Sequence, residues 1–133
     1  MKKSTNNRYD LDERLIDFAV SIIKIVESMP RTRAANHLAG QLIGSGTSPS
    51  LNYGEAQSAE SRKDFIHKIK IILKELRESY NTLRIIHKSK LYKDEDLVLS
   101  AIKENNELIC IFVKSQDTAL ENLRKEKRTS ISK

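Results

Sequence analysis

Residues 35–59 keep a single helical phase through a stretch that local propensity would break. Ala35, Leu38, Leu42, Ser45, Pro49, Asn52, Ala56 and Ala59 are spaced 3-4-3-4-3-4-3. The centre of the run reads Gly44-Ser45-Gly46-Thr47-Ser48-Pro49, a composition usual for a loop. A loop has no reason to return the chain in step. The spacing therefore predicts one long helix, kinked near Pro49. Pro49 has no N–H to offer the carbonyl of Ser45, and its ring crowds that turn. Small neighbours at the same level let another helix approach closely.

Three more segments carry the same period. The first starts near Asp10, a candidate N-cap with Glu13 as its capping-box partner. Leu11, Leu15, Phe18, Ile22, Ile25 and Met29 form its apolar face, Ile16, Ala19, Ile23 and Val26 widen it, and Pro30 ends it. The third opens at Ser61 with Asp64 in the capping-box position, and its seam is Ile66, Ile69, Leu73, Leu76, Tyr80 and Leu83. The fourth begins at Asp94 or Glu95 and runs to about Arg124. Val98, Ile102, Ile109, Phe112 and Leu123 form its core face, interrupted by Asn105 and Gln116. No strand period or internal repeat competes. Short links force antiparallel neighbours, so the fold class is all-α: an up-down-up-down four-helix bundle over residues 10–123. The apolar faces are wider than a monomeric bundle needs, which points to self-association.

Charge separates the bundle from its ends. The chain carries a formal +6. Lys2, Lys3 and Arg8 give residues 1–8 a charge of +3; Arg124, Lys125, Lys127, Arg128 and Lys133 against Glu126 give residues 124–133 a charge of +4. Residues 9–123 are left at −1. Residues 1–9 and 124–133 thus read as flexible basic tails. The single cysteine, Cys110, sits in the apolar run Leu108–Val113 and reads as a buried structural thiol. No apolar leader follows Met1, and Asp17 and Lys24 interrupt the first apolar segment too often for a membrane span. The expected location is the cytoplasm.

One pattern points to a ligand. Lys63, Lys70, Lys74, Arg77, Arg84 and Lys88 follow spacings of three and four along the third helix, with His67 and Asn81 in the gaps. The stripe is the apolar seam shifted by one residue, about 100° around the axis. It extends ~38 Å at about 1.5 Å per residue. Two readings remain open. In one, the stripe is a solvated or salt-bridged face, with Glu78 and Glu75 close to Lys74 and with Glu104, Glu107 and Asp117 as cross-helix partners. In the other, it is a track for phosphates. Phe65 and Tyr80 lie off the stripe and Tyr92 beyond it, so any contact reads backbone or shape, not bases.

Catalytic chemistry finds no footing. A di-iron bundle needs Glu-x-x-His on each of two helices, whereas this chain offers only Asp64-x-x-His67. Arg84 precedes His87 and Ala34 precedes His37 at that spacing. Nothing pairs a histidine with Cys110 or with a particular serine, and Gly44-Ser45-Gly46 lacks the rest of a phosphate loop. The reading is of no enzyme, no metal and no cofactor. Asn52 reads as a cross-helix hydrogen-bonding amide that fixes register, and Glu55 as the partner of a basic group on another helix or subunit.

The run Gln41–Ala56, with Ser48-x-x-x-Asn52-x-x-Glu55 after the glycines, continues into Ser61-Arg62-Lys63-Asp64-Phe65-Ile66-His67-Lys68 and Leu73-Lys74-Glu75-Leu76-Arg77-Glu78. It resembles the bacterial four-helix-bundle proteins called 23S rRNA intervening-sequence proteins, over about residues 11–123. The resemblance implies a left-handed bundle that assembles into a ring-like homopentamer. It also implies kinship with the accessory variability protein of diversity-generating retroelements, a basic pentameric barrel that binds nucleic acid and a reverse transcriptase. The family motif falls on Ser48, Pro49, Asn52 and Glu55, where it reads as a packing signature. The nearly neutral body of this chain departs from the retroelement branch. The expected function is a non-enzymatic homo-oligomer whose third helix binds RNA or DNA backbone. The alternative is an assembly or adaptor protein that binds only itself or another protein.

Overall fold

The computed structural model describes residues 7–132 as four α-helices: α1 (Asn7–Glu27), α2 (Arg33–Gln57), α3 (Arg62–Lys88) and α4 (Glu95–Ser132). α2 packs against α1 and α3, α3 against α4, and α1 closes on α4. The backbones of α1 and α3, and those of α2 and α4, do not approach closely, so each pair occupies opposite corners and meets only through core side chains. Links of a few residues turn each helix back on its predecessor. Along α3 and α4, His87 meets Glu95, Ser79 meets Asn105 and Arg62 meets Glu126, an antiparallel pairing.

The middle of the sequence folds as its phase requires. α2 is helical without interruption from Arg33 to Gln57, with Pro49 inside it. Thr32 caps its start by accepting a hydrogen bond from the N–H of Ala35 at 3.2 Å. The small polar side chains of the middle turn back on their own helix: Ser45 Oγ donates to the carbonyl of Gln41 at 3.0 Å, and Thr47 Oγ1 donates to that of Ile43 at 2.6 Å. The close approach also has an address. A Cβ on Gly46 would stand 2.6 Å from Cγ1 of Ile22, so α1 lies against α2 where a side chain has been omitted.

The interior is a continuous apolar cluster fed by all four helices. Leu15, Phe18, Ile22 and Ile25 meet Leu42, Tyr53 and Ala56 from α2, the row Ile69 to Ile86 from α3, and Val98, Leu108 and Phe112 from α4. Tyr53 and Phe112 pack edge to face across the centre at 5.8 Å. One amide is enclosed with them. Asn105 is fully buried on α4 beside Ser79 of α3. With its nitrogen toward the carbonyl of Leu76 (2.9 Å), its oxygen meets the Ser79 hydroxyl (2.8 Å) and the N–H of Tyr80 (3.1 Å). The register-fixing amide is therefore Asn105, not Asn52. Asn52 donates within its own helix, to Oγ of Ser48 at 2.8 Å and the carbonyl of Ser48 at 3.1 Å.

Element ends follow local chemistry. Ser61 Oγ accepts from the N–H of Asp64, and Asp94 Oδ1 from that of Leu97, so α3 and α4 open on the expected caps. α1 begins at Asn7, so the helix starts three residues before the expected Asp10. α4 runs past Arg124 to Ser132, with Glu126 held by Arg62 at 2.7 Å. Lys2, Lys3 and Lys133 lie outside the described residues. Cys110 is exposed, contrary to expectation. A helix turns about 100° per residue, so Leu108 and Phe112 of the same run enter the core while Cys110 faces out.

Candidate nucleic-acid interface

α3 owes its straight stripe to an unbroken 3-4 alternation on a helix that is 27 residues long and capped by Ser61. Its seam, Ile66, Ile69, Leu73, Leu76 and Leu83, is buried against α2 and α4. The stripe is thereby turned outward. Lys63, Lys70, Lys74, Arg77, Arg84 and Lys88 are all exposed, as are His67 and Asn81 between them. Six cations share this face with two exposed carboxylates, Asp64 and Glu78, a surplus of four positive charges.

No ion pair with another described residue ties down any of the six. The expected acidic partners are engaged elsewhere. Arg14 of α1 takes Glu104 with two hydrogen bonds, Nε at 2.9 Å and Nη2 at 2.7 Å, and reaches Glu107 at 3.1 Å. That fork holds the guanidinium above its ordinary pKa, chiefly through the Glu104 hydrogen bond. The salt-bridged reading of the stripe therefore fails for Glu104 and Glu107: both glutamates belong to the α1 corner. Arg84 holds its guanidinium 5.5 Å from the ring centre of half-buried Tyr80. Glu75, half-buried next to Lys74, has its carboxyl pKa raised by burial and by Glu78, and lowered by Lys74.

The residues of the α2 motif have structural surroundings. Pro49 is buried, Ser48 and Asn52 are half-buried and bonded to each other, and exposed Glu55 accepts from Lys68 Nζ across the α2–α3 groove at 2.5 Å. Lys68 and Arg62 are the α3 cations that do find carboxylates, Glu55 and Glu126, and both lie off the stripe. Spacing alone missed the Arg14 fork, although an arginine beside a core leucine and two glutamates three residues apart were signals for it. It also passed over Lys103 and Lys114, exposed on α4, the neighbour of α3. Among the described residues no three His, Cys, Asp or Glu side chains come together as a metal site would require. No described helix is long and apolar enough to cross a membrane.

Comparison with known proteins agrees with this architecture. Residues 9–114 match the family described as 23S rRNA-intervening sequence protein. The chain belongs to that family. Among solved structures, the chain is similar to a protein of unknown function from the S23 ribosomal protein family of Bacteroides thetaiotaomicron VPI-5482. The two are 25% identical with a TM-score of 0.73, over 80% of this chain and 97% of that one. No curated protein matches the chain. In this 23S rRNA-intervening sequence protein the matched region takes in all of α2 and α3, and so the entire basic stripe.

Proposed function

We propose that this protein is a non-enzymatic, self-associating helical bundle of the cytoplasm that binds the backbone of RNA or DNA through the outer face of α3. The observation that carries the reading is the exposure of six cations in one row, none in an ion pair with a described residue, with a surplus of four positive charges over the carboxylates of that face. Such a row releases counterions when it meets a polyanion, and copies brought together by self-association multiply the effect. A pentamer is the assembly that the resemblance implies. Exposed Ile16, Val20 and Ile23 on α1 supply an apolar face for association.

The test is a binding titration against salt with the wild type and with Lys70→Glu, Lys74→Glu and Arg77→Glu combined. Affinity is expected to fall steeply as salt rises, and the triple variant to lose more than about tenfold at fixed low salt. Undetectable binding at low salt, or a triple variant that binds like the wild type, overturns the reading. The second reading is then an adaptor that binds only itself or another protein, which the same apolar α1 face favours.

A further inference from the structure

Resting on the α3 reading, we infer that its ligand is a double helix, held through its phosphates, and not a single strand. Three observations converge on this. The first is shape: the six cations lie on one uninterrupted helix over ~38 Å. A duplex is straight over such a span, since its persistence length is about 50 nm, and its phosphates keep fixed positions. A flexible strand must first be ordered against the rod.

The second is the treatment of aromatic rings. Proteins that hold single strands stack bases on exposed rings, each worth about 1–3 kcal/mol. Here Phe18, Tyr53, Tyr92 and Phe112 are buried, and Phe65 and Tyr80 are half-buried. Over residues 11–130 no phenylalanine or tyrosine side chain is exposed, and the ring on the row itself is the imidazole of His67. Tyr80, nearest to the stripe, already carries the guanidinium of Arg84 over its ring.

The third is the chemistry between the cations. His67 and Asn81 are the uncharged polar members of the row, and each is flanked along the helix by cations one turn away on both sides. The face therefore offers charge at nearly every turn, with a single imidazole and a single amide between the cations. Phosphate density favours the same ligand, because a duplex carries about one charge per 1.7 Å of its axis.

The experiment measures binding of the full chain to an RNA duplex and a DNA duplex of about 20 base pairs, longer than the row at about 3.4 Å per pair, and to each strand alone. Either duplex is expected to bind at least about tenfold more tightly than the single strands. Its affinity should fall on the order of a thousandfold between 50 and 200 mM salt if all six cations engage. Tighter binding of either duplex supports the inference, and the arm that wins identifies the source. Single strands bound as tightly as duplex overturn it while leaving backbone binding by α3 intact. Failure of every probe to bind at low salt removes both.

Discussion

Gly46 and Gly44 are two residues apart on one helix, and the structure gives them opposite roles. Gly46 is buried where Ile22 of α1 comes within reach of an added Cβ, whereas Gly44 is exposed with nothing within 4 Å of such an atom. Gly46→Ala is expected to destabilise the fold by about 1–3 kcal/mol through overpacking, less a fraction regained from helix propensity. Gly44→Ala should stabilise the monomer fold by up to about 1 kcal/mol, because a helical glycine is more costly to order than alanine. Urea denaturation of the two variants checks the contrast; equal effects would mean α1 does not approach as described. The sequence announced that a close contact lay among the small residues. It could not say which glycine faced it, because that depends on which side of α2 receives α1.

At the scale of elements, phase was legible and ends were less so. The 3-4 spacing carried α2 through its glycines and Pro49, and the caps at Ser61 and Asp94 were readable from side chains that accept backbone N–H groups. The C-terminus of α3 was harder to read, because it uses lysine where glycine is usual. Lys90 takes a left-handed φ of 57° while its N–H reaches the carbonyl of His87 and that of Leu91 reaches the carbonyl of Ile86. Lys90→Gly is therefore expected to raise stability by about 1 kcal/mol, visible as a higher melting temperature. An unchanged or lower value would contradict the strain assigned to this turn. The far end of α4 was missed because residues 124–130 contain no apolar residue and left no period to follow. The basic stripe was legible for the opposite reason: a row on one helix is a matter of spacing alone. That Glu104 and Glu107 would leave it unpaired was not, since their side of α4 is decided by Arg14 on another helix.

For the whole molecule, the ring order of helices sets the basic face and the apolar face at opposite corners. Ile16, Val20 and Ile23 stand 40–44% exposed on α1, diagonally across from α3. Association through α1 would leave every α3 row on the outside of the assembly. Replacing Ile16, Val20 and Ile23 by serine is expected to reduce the mass in solution to that of one chain of 15.2 kDa with helical content retained. Light scattering and circular dichroism measure the two quantities. A wild type that is already monomeric, or a variant of unchanged mass, would exclude α1 as the seam. The Arg14 fork has a wider consequence. By drawing Glu104 and Glu107 to the α1 corner, it sharpens a separation in which α1 is a net −2 and α3 a net +5 by formal charge. The protein is thus an electric dipole across its short axis. A distant polyanion would turn the correct edge toward itself before any contact, and dissolved electrolyte would blunt that torque and slow the encounter.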